Sequence, residues 1–141
     1  MDRKEFLSAI GVSAASLVVI NCIGCSKSSN SAGNSINGPS NVDFTLDLTA
    51  SANAALLNNG GYIAFNGVLV ARTTAGAYIA VQQSCTHESY PLIYQPSASH
   101  FYCNNHGSAF TETGGVLNSP ARNNLSTYKT TLTGTSLRVY S

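Results

Sequence analysis

Two short segments in the middle of the chain each contain a cysteine and a histidine close together. Cys85-Thr86-His87 is followed, after 15 residues, by Cys103-Asn104-Asn105-His106. Thiolates and neutral imidazoles are both strong ligands for transition metals, including zinc and iron. Two closely spaced ligands in each segment would let two loops approach one centre from opposite sides. The pattern therefore predicts a metal centre with four ligands: Cys85, His87, Cys103 and His106.

The cysteine count favours a metal over a disulfide. The chain has four cysteines, which in a small secreted domain would usually form disulfides. Here Cys22 and Cys25 lie near the N-terminus, and the other two lie beside histidines. Two Cys and two His are also a complete tetrahedral zinc set, so a structural zinc site is the main alternative. Zinc fingers, however, usually pair Cys with Cys and His with His along the sequence.

Charge and motifs exclude several other functions. From residue 43 onward four basic side chains balance four acidic ones, so there is no basic field to neutralise phosphates, and nucleic acid is not an expected partner. No catalytic pair of carboxylates, nucleophile with a base, or phosphate-binding glycine loop is present. His100, which precedes the second cysteine segment, is interpreted as an ordinary strand residue.

Composition and periodicity predict an all-β domain. The chain is 43% hydrophobic and only 9% charged, and it has no Trp. Phe44, Leu46 and Leu48 alternate with polar residues, as in a half-buried strand. Asn66-Gly67 lies between two hydrophobic runs and is a strong hairpin signal. The remaining strands are expected at 77–81, 127–132 and 136–140, and residues 50–57 are the one helix-favouring piece.

The two cysteine segments resemble the Rieske family, whose pattern is C-x-H, a spacer of this length, and then C-x-x-H-G-S. The match extends to Gly107, Ser108 and the aromatic Phe110. Further along the chain, Pro120-Ala121 looks like the proline-bearing third loop of the family, and the residues up to Tyr128 look like the strand that follows it. The resemblance covers residues 43–141.

The resemblance implies a fold, a cofactor and a function. The fold would be the Rieske fold, with small antiparallel sheets in a sandwich and a two-loop tip over about residues 83–111. The cofactor would be a [2Fe–2S] cluster, with Cys85 and Cys103 on one iron and His87 and His106 on the other. Ser108 would donate a hydrogen bond to a bridging sulfide. The protein would exchange single electrons with a redox partner, such as a cytochrome or a membrane oxidoreductase.

Three residues depart from the quinol-oxidising members of the family. Those members carry an extra cysteine in each loop, joined by a disulfide, where this chain has Tyr90 and Asn105. In the same members a Tyr hydroxyl bonds a ligand sulfur, which Phe110 cannot do. Hydrogen bonds to cluster sulfurs stabilise the added electron. We therefore expect a midpoint potential below that of quinol-oxidising relatives.

The N-terminus has the layout of an export signal. A charged start is followed by an uncharged stretch through Ser26 that contains an apolar run at 15–20. Gly24-Cys25 resembles the lipobox of bacterial lipoproteins, and Arg3-Lys4 resembles a twin-arginine signal with one Arg replaced. We interpret residues 1–24 as a signal peptide and Cys25 as a lipidated cysteine. An uncleaved membrane anchor is the alternative.

Residues 25–42 are rich in Ser, Asn and Gly and are predicted to form a flexible tether. The whole chain would then be an exported protein, anchored to the membrane on the extracytoplasmic side, with its electron-transfer domain at 43–141. Three hypotheses stay open: a free-standing electron carrier, the Rieske subunit of a larger oxidoreductase complex, and a zinc-stabilised binding module.

Overall fold

The computed structural model describes residues 36–141, and strands dominate this part of the chain. The strands are β1 Asp43–Asp47, β2 Tyr62–Phe65, β3 Val68–Arg72, β4 Tyr78–Gln82, β5 Ile93–Gln95, β6 His100–Tyr102, β7 Ala109–Thr111, β8 Thr127–Thr133 and β9 Ser136–Tyr140. Two short 3-10 helices cover Ser51–Leu57 and Pro96–Ala98. The prediction of an all-β fold is confirmed.

The larger sheet has six antiparallel strands in the order β1-β9-β8-β4-β3-β2. The predicted hairpin joins β2 to β3, and Asn66 and Gly67 have the positive φ angles of 49° and 77° that the tight turn needs. At the two edges of this sheet the rings of Phe44 in β1 and Phe65 in β2 lie 4.9 Å apart. The edges therefore approach each other, and the sheet is curled.

The smaller sheet has three antiparallel strands in the order β5-β6-β7, and sequence periodicity did not predict it. Each of these strands has only three residues, which is too short for an alternating pattern to stand out. The interpretation of His100 as a strand residue is confirmed, because it lies in β6 with Nε2 2.7 Å from Oε1 of Gln95. This small sheet carries the second cysteine segment between β6 and β7.

Strand β3 separates two hydrophobic cores. Its residues are buried on both faces, and because side chains alternate along a strand, Leu69 and Ala71 enter one core while Val68 and Val70 enter the other. The core on the side of the small sheet includes Phe101 and Phe110, and we call it the site core. It also contains both described cysteines, so packing of apolar side chains determines where the thiols lie.

Residues 36–42 lie against the domain, although they were predicted to belong to the tether. The buried amide of Gln82 donates to the backbone carbonyl of Ile36 at 3.0 Å, and the Tyr128 hydroxyl donates to that of Pro39 at 2.8 Å. A Cβ at Gly38 would meet the Tyr128 oxygen at 2.3 Å, so only glycine fits there. The predicted signal peptide and residues 25–35 lie outside the described residues.

Within residues 36–141, no helix is long and apolar enough to span a membrane.

Candidate metal centre

Three loops converge at one end of the site core. The first loop, residues 83–92, joins β4 to β5, and the second loop, residues 103–108, joins β6 to β7. The third loop, residues 112–126, joins β7 to β8. In the second loop, the N–H of Cys103 donates to the carbonyl of Ser108 at 2.8 Å, and the N–H of Gly107 donates to the carbonyl of Cys103 at 2.9 Å. Gly107 has φ 78°, which favours glycine.

The two thiols are buried and adjacent. Cys85 and Cys103 have no exposed surface, and neither forms a disulfide. Burial raises the pKa of the Cys85 thiol, and the neighbouring Cys103 sulfur also raises it, whereas the backbone N–H groups of His87 and Glu88 donate to the Cys85 sulfur and lower it. A bound metal would remove the proton, and these two N–H groups would then stabilise the thiolate.

The two imidazoles form a second pair. The rings of His87 and His106 meet edge to face, with centroids 4.7 Å apart and planes at 90°. Nδ1 of His87 is buried and has no hydrogen-bond partner among the described residues. A buried polar atom without a partner is costly unless something binds it, so this nitrogen is suited to a metal. The side chain of His106 is 35% exposed, so this pair reaches the surface.

Glu88 and Asn105 contact the outer imidazole. Oε2 of Glu88 lies 3.8 Å from Nδ1 of His106, and Nδ2 of Asn105 lies 3.2 Å from the same nitrogen. Among the described residues, only His87, Glu88 and His106 bring three candidate ligand atoms within 4.8 Å of one another. The Glu88 side chain is 60% exposed, so it is a largely solvated carboxylate beside the two imidazoles.

Ser108 is the fifth residue that the sequence predicted for this site, and it is completely buried. Its Oγ accepts a hydrogen bond from the N–H of Ala121 in the third loop at 3.1 Å. A hydroxyl that accepts in this way still has its own proton to donate. The Ser108 hydroxyl can therefore donate a hydrogen bond to a group bound between the loops.

The third loop is hydrogen-bonded to both of the other loops by side chains that sequence analysis did not single out. The buried Thr86 hydroxyl donates to the carbonyl of Asn123 at 2.6 Å. Asn118 bonds the backbone of Gly107 and Ala109. Nothing in the residue types alone marks these two, because Thr and Asn are common in loops.

The residues that depart from the quinol-oxidising pattern lie in different surroundings. Phe110 is fully buried in the site core, where it has no hydrogen-bonding group to offer a sulfur. Tyr90 is 43% exposed in the first loop, and Asn105 is exposed in the second. Within residues 36–141 no cysteine other than the two thiols is present, so no disulfide braces the loops.

Solved structures with the same fold include a Rieske protein and ferredoxins of dioxygenases. The plasma membrane Rieske protein PetC3 of the cyanobacterium Synechocystis PCC 6803 is 28% identical, with a TM-score of 0.51, and the alignment covers 67% of this chain and 92% of that one. The ferredoxin of carbazole 1,9a-dioxygenase from Nocardioides aromaticivorans IC177 is 20% identical, with a TM-score of 0.56, over 72% of this chain and 98% of that one.

A third similar structure is a chain from the complex of reduced oxygenase and oxidized ferredoxin in carbazole 1,9a-dioxygenase. It is 20% identical, with a TM-score of 0.54, over 68% of this chain and 92% of that chain. No curated protein matches the sequence at a significant level. The sequence matches the profile of the Rieske [2Fe-2S] domain over residues 50–129. The chain therefore belongs to the Rieske [2Fe–2S] domain family, whose cofactor is a [2Fe–2S] cluster.

Proposed function

We propose that the protein transfers single electrons through a [2Fe–2S] cluster held by Cys85, His87, Cys103 and His106. The observation that carries this proposal is the division of the donors into two pairs. The thiols are buried and adjacent, and the imidazoles lie together nearer the surface. A cluster with two irons needs one pair of ligands for each metal, and mixed ligation places cysteines on one iron and histidines on the other.

A single zinc ion fits these donors less well. Ligand atoms around one tetrahedral zinc lie about 3–4 Å apart, since the metal–ligand bonds are about 2.0–2.3 Å long. Neither thiol belongs to a set of three candidate ligand atoms within 4.8 Å, and the one such set in the described part of the chain has no cysteine. The separation supports two metals over one.

The cluster supplies the site with a centre that takes up and releases one electron. The residues of this chain provide the surroundings. The N–H groups of His87 and Glu88 donate to the Cys85 sulfur, and the Ser108 proton is available to a sulfide. Such donors stabilise negative charge in a buried site. The partly exposed His106 is the proposed place where electrons enter and leave.

We further propose that the protein works outside the cytoplasm and is held at the membrane through Cys25. The leader-like sequence before this cysteine supports the proposal. The Rieske protein of Synechocystis is itself described as a plasma membrane protein, which agrees with a membrane location here. A cytochrome or a membrane oxidoreductase is the proposed redox partner, and the protein would serve it as a free carrier or as a subunit.

Two experiments test the membrane anchor and the export route. Labelled palmitate should be incorporated into the full chain and lost in Cys25→Ser, and incorporation into Cys25→Ser at the wild-type level would reject the lipid anchor. Changing Arg3 and Lys4 together to Gln should stop export if the twin-arginine pathway is used. Unchanged export of this double variant would reject that pathway.

Analysis of the purified protein tests the proposed cofactor and reaction. We expect iron and acid-labile sulfide in equal amounts, and a reversible reduction that fits one electron. A colourless protein that contains zinc and cannot be reduced would overturn the proposed function.

A further inference from the structure

The side chain of Asn118 in the third loop bridges two peptide groups of the second loop and the strand after it. Its Nδ2 donates to the carbonyl of Gly107 at 3.1 Å, and its Oδ1 accepts from the N–H of Ala109 at 2.6 Å. These two backbone groups lie immediately before and after Ser108. One amide side chain thus holds the peptide groups on both sides of Ser108, the buried serine that is proposed to donate to the cluster.

The bridge continues a strand pairing that would otherwise end. Phe110 in β7 pairs with Val116, and the N–H of Leu117 donates to the carbonyl of Ala109 at 2.8 Å. At Asn118, the next residue of the third loop, the backbone forms no further hydrogen bond to β7. The side-chain amide of Asn118 forms the next two bonds instead, one as donor to Gly107 and one as acceptor from Ala109. Side-chain amides can replace backbone groups in this way because they carry both a C=O and an N–H.

Ser108 is consequently fixed from three sides. Its carbonyl accepts from Cys103, its Oγ accepts from Ala121 at 3.1 Å, and the peptide groups on either side are held by Asn118. With the oxygen already accepting, the remaining freedom of the hydroxyl is the direction of its proton. The proton turns about the Cβ–Oγ bond, and where that bond lies depends on the backbone angles of Ser108, which the Asn118 bridge restrains.

We propose that Asn118 is a positioning residue for the Ser108 hydroxyl, and that through it Asn118 raises the midpoint potential of the cluster. This inference rests on the proposed function. Asn118 itself touches no proposed ligand in any described contact, and its effect is carried by the backbone on each side of Ser108. An ordinary loop asparagine would contribute to folding stability and would leave the potential unchanged.

The test compares midpoint potentials of full-chain variants loaded with the cluster. Ser108→Ala should lower the potential, and Asn118→Ala should lower it in the same direction by a smaller amount. The double variant should have the potential of Ser108→Ala, because Asn118 has nothing left to position. Asn124→Ala is the matched control: its Oδ1 accepts from the N–H of Val116 at 3.1 Å in the same loop, away from Ser108, and its potential should equal that of the wild type.

Hydrogen exchange tests the Asn118 bridge independently of the midpoint potential. In Asn118→Ala, the amide of Ala109 loses its acceptor, so its hydrogen exchange should be about tenfold faster or more, as expected for losing one hydrogen bond. If Asn118→Ala does not retain the cluster, Asn118→Ser provides the potential. Serine is uncharged and too short to bridge Gly107 and Ala109, so its potential should also be lowered.

The outcomes separate the inference from the proposed function. Suppose that the wild type takes up one electron and that Ser108→Ala lowers its midpoint potential. If the Asn118 variants then keep the wild-type potential, or if their effect adds to that of Ser108→Ala in the double variant, the positioning role is wrong and the proposed function stands. Unchanged exchange at Ala109 in Asn118→Ala also rejects the bridge. If the wild type contains no cluster, the proposed function itself fails.

Discussion

The Thr86 hydroxyl donates a 2.6 Å hydrogen bond to the backbone carbonyl of Asn123. Thr86 stands between two proposed ligands, Cys85 and His87, and is only 5% exposed. The bond therefore joins the first loop to the third loop at a residue that lies between two proposed ligands. Since no disulfide joins the loops in the described part of the chain, hydrogen bonds of this kind hold them in place.

Thr86→Val should destabilise the site. Valine has nearly the same shape, but it removes the donor to the Asn123 carbonyl, and losing one such hydrogen bond costs about 0.5–1.5 kcal/mol. We expect a lower melting temperature and faster loss of iron to a chelator, whereas Thr86→Ser should stay close to the wild type. Equal behaviour of the Val and Ser variants would show that the hydroxyl has no such role.

Tyr94 should limit stability at alkaline pH. It is 3% exposed, and burial raises the pKa of its phenol well above the ordinary value. The Glu112 carboxylate, which accepts a 2.5 Å hydrogen bond from the phenol, raises this pKa further. A raised pKa means that the folded state favours the protonated form, so this stabilisation is fully present below about pH 10 and decreases as pH rises above it. Thermal melts from pH 7 to 11 measure this loss.

In Tyr94→Phe the group that titrates is absent, so the melting temperature should fall less between pH 9 and 11 than in the wild type. Tyr62→Phe, at a more exposed tyrosine, is the control and should behave as the wild type does. The prediction fails if Tyr94→Phe and the wild type lose stability in parallel.

Gln82→Ala should release residues 36–39 from the domain. The buried amide donates to the carbonyls of Ile36 and Ser84, and its oxygen accepts from Ser126 at 2.8 Å. Losing three bonds of about 1 kcal/mol each should lower the free energy of unfolding by roughly 2–4 kcal/mol. Hydrogen exchange of the peptide that contains Gly38 should become faster. Gln83→Ala, one residue further on, should change neither quantity.

Phe110→Tyr should raise the midpoint potential. The family resemblance places a tyrosine hydroxyl near a ligand sulfur at this position, and a hydrogen bond to a charged acceptor is worth about 1.5–3 kcal/mol. For one electron this corresponds to an upper limit of about 65–130 mV. Phe101→Tyr, at another fully buried phenylalanine in the same core, should not raise the potential. A redox titration that finds equal values for Phe110→Tyr and the wild type would contradict the expected tuning.

The midpoint potential of the wild type also tests whether the missing tyrosine hydroxyl lowers the potential. Without the tyrosine hydroxyl and the disulfide, it should lie below that of quinol-oxidising relatives measured under the same conditions. A potential near the top of the range for mixed Cys/His clusters, about +300 mV, would refute this prediction.

Local signals in the sequence predicted the parts of the fold that depend on neighbouring residues. Asn66-Gly67 determined the β2–β3 hairpin, and alternation at Phe44, Leu46 and Leu48 marked β1. The small sheet was missed because its strands are three residues long and their pairing depends on the loops between them. Local patterns do not contain that information.

The proposed ligands were visible in the sequence because their chemistry is rare and their spacing is regular. Asn118 and Thr86 were not, because asparagine and threonine have many uses in loops and only the folded chain shows which backbone groups they meet. The docking of residues 36–42 was missed for the same reason: their composition resembles a linker, but Gln82 binds their backbone.

The most direct test of the central claim is the EPR spectrum of the reduced, purified protein. Cysteine and histidine ligation together should give the low average g value of a mixed-ligand [2Fe–2S] cluster. His106→Ala should abolish this signal, whereas His100→Ala should retain it, because His100 lies in β6 and bonds Gln95 outside the site. A wild-type signal at the average g value of an all-cysteine cluster, or an unchanged signal in His106→Ala, would contradict the account.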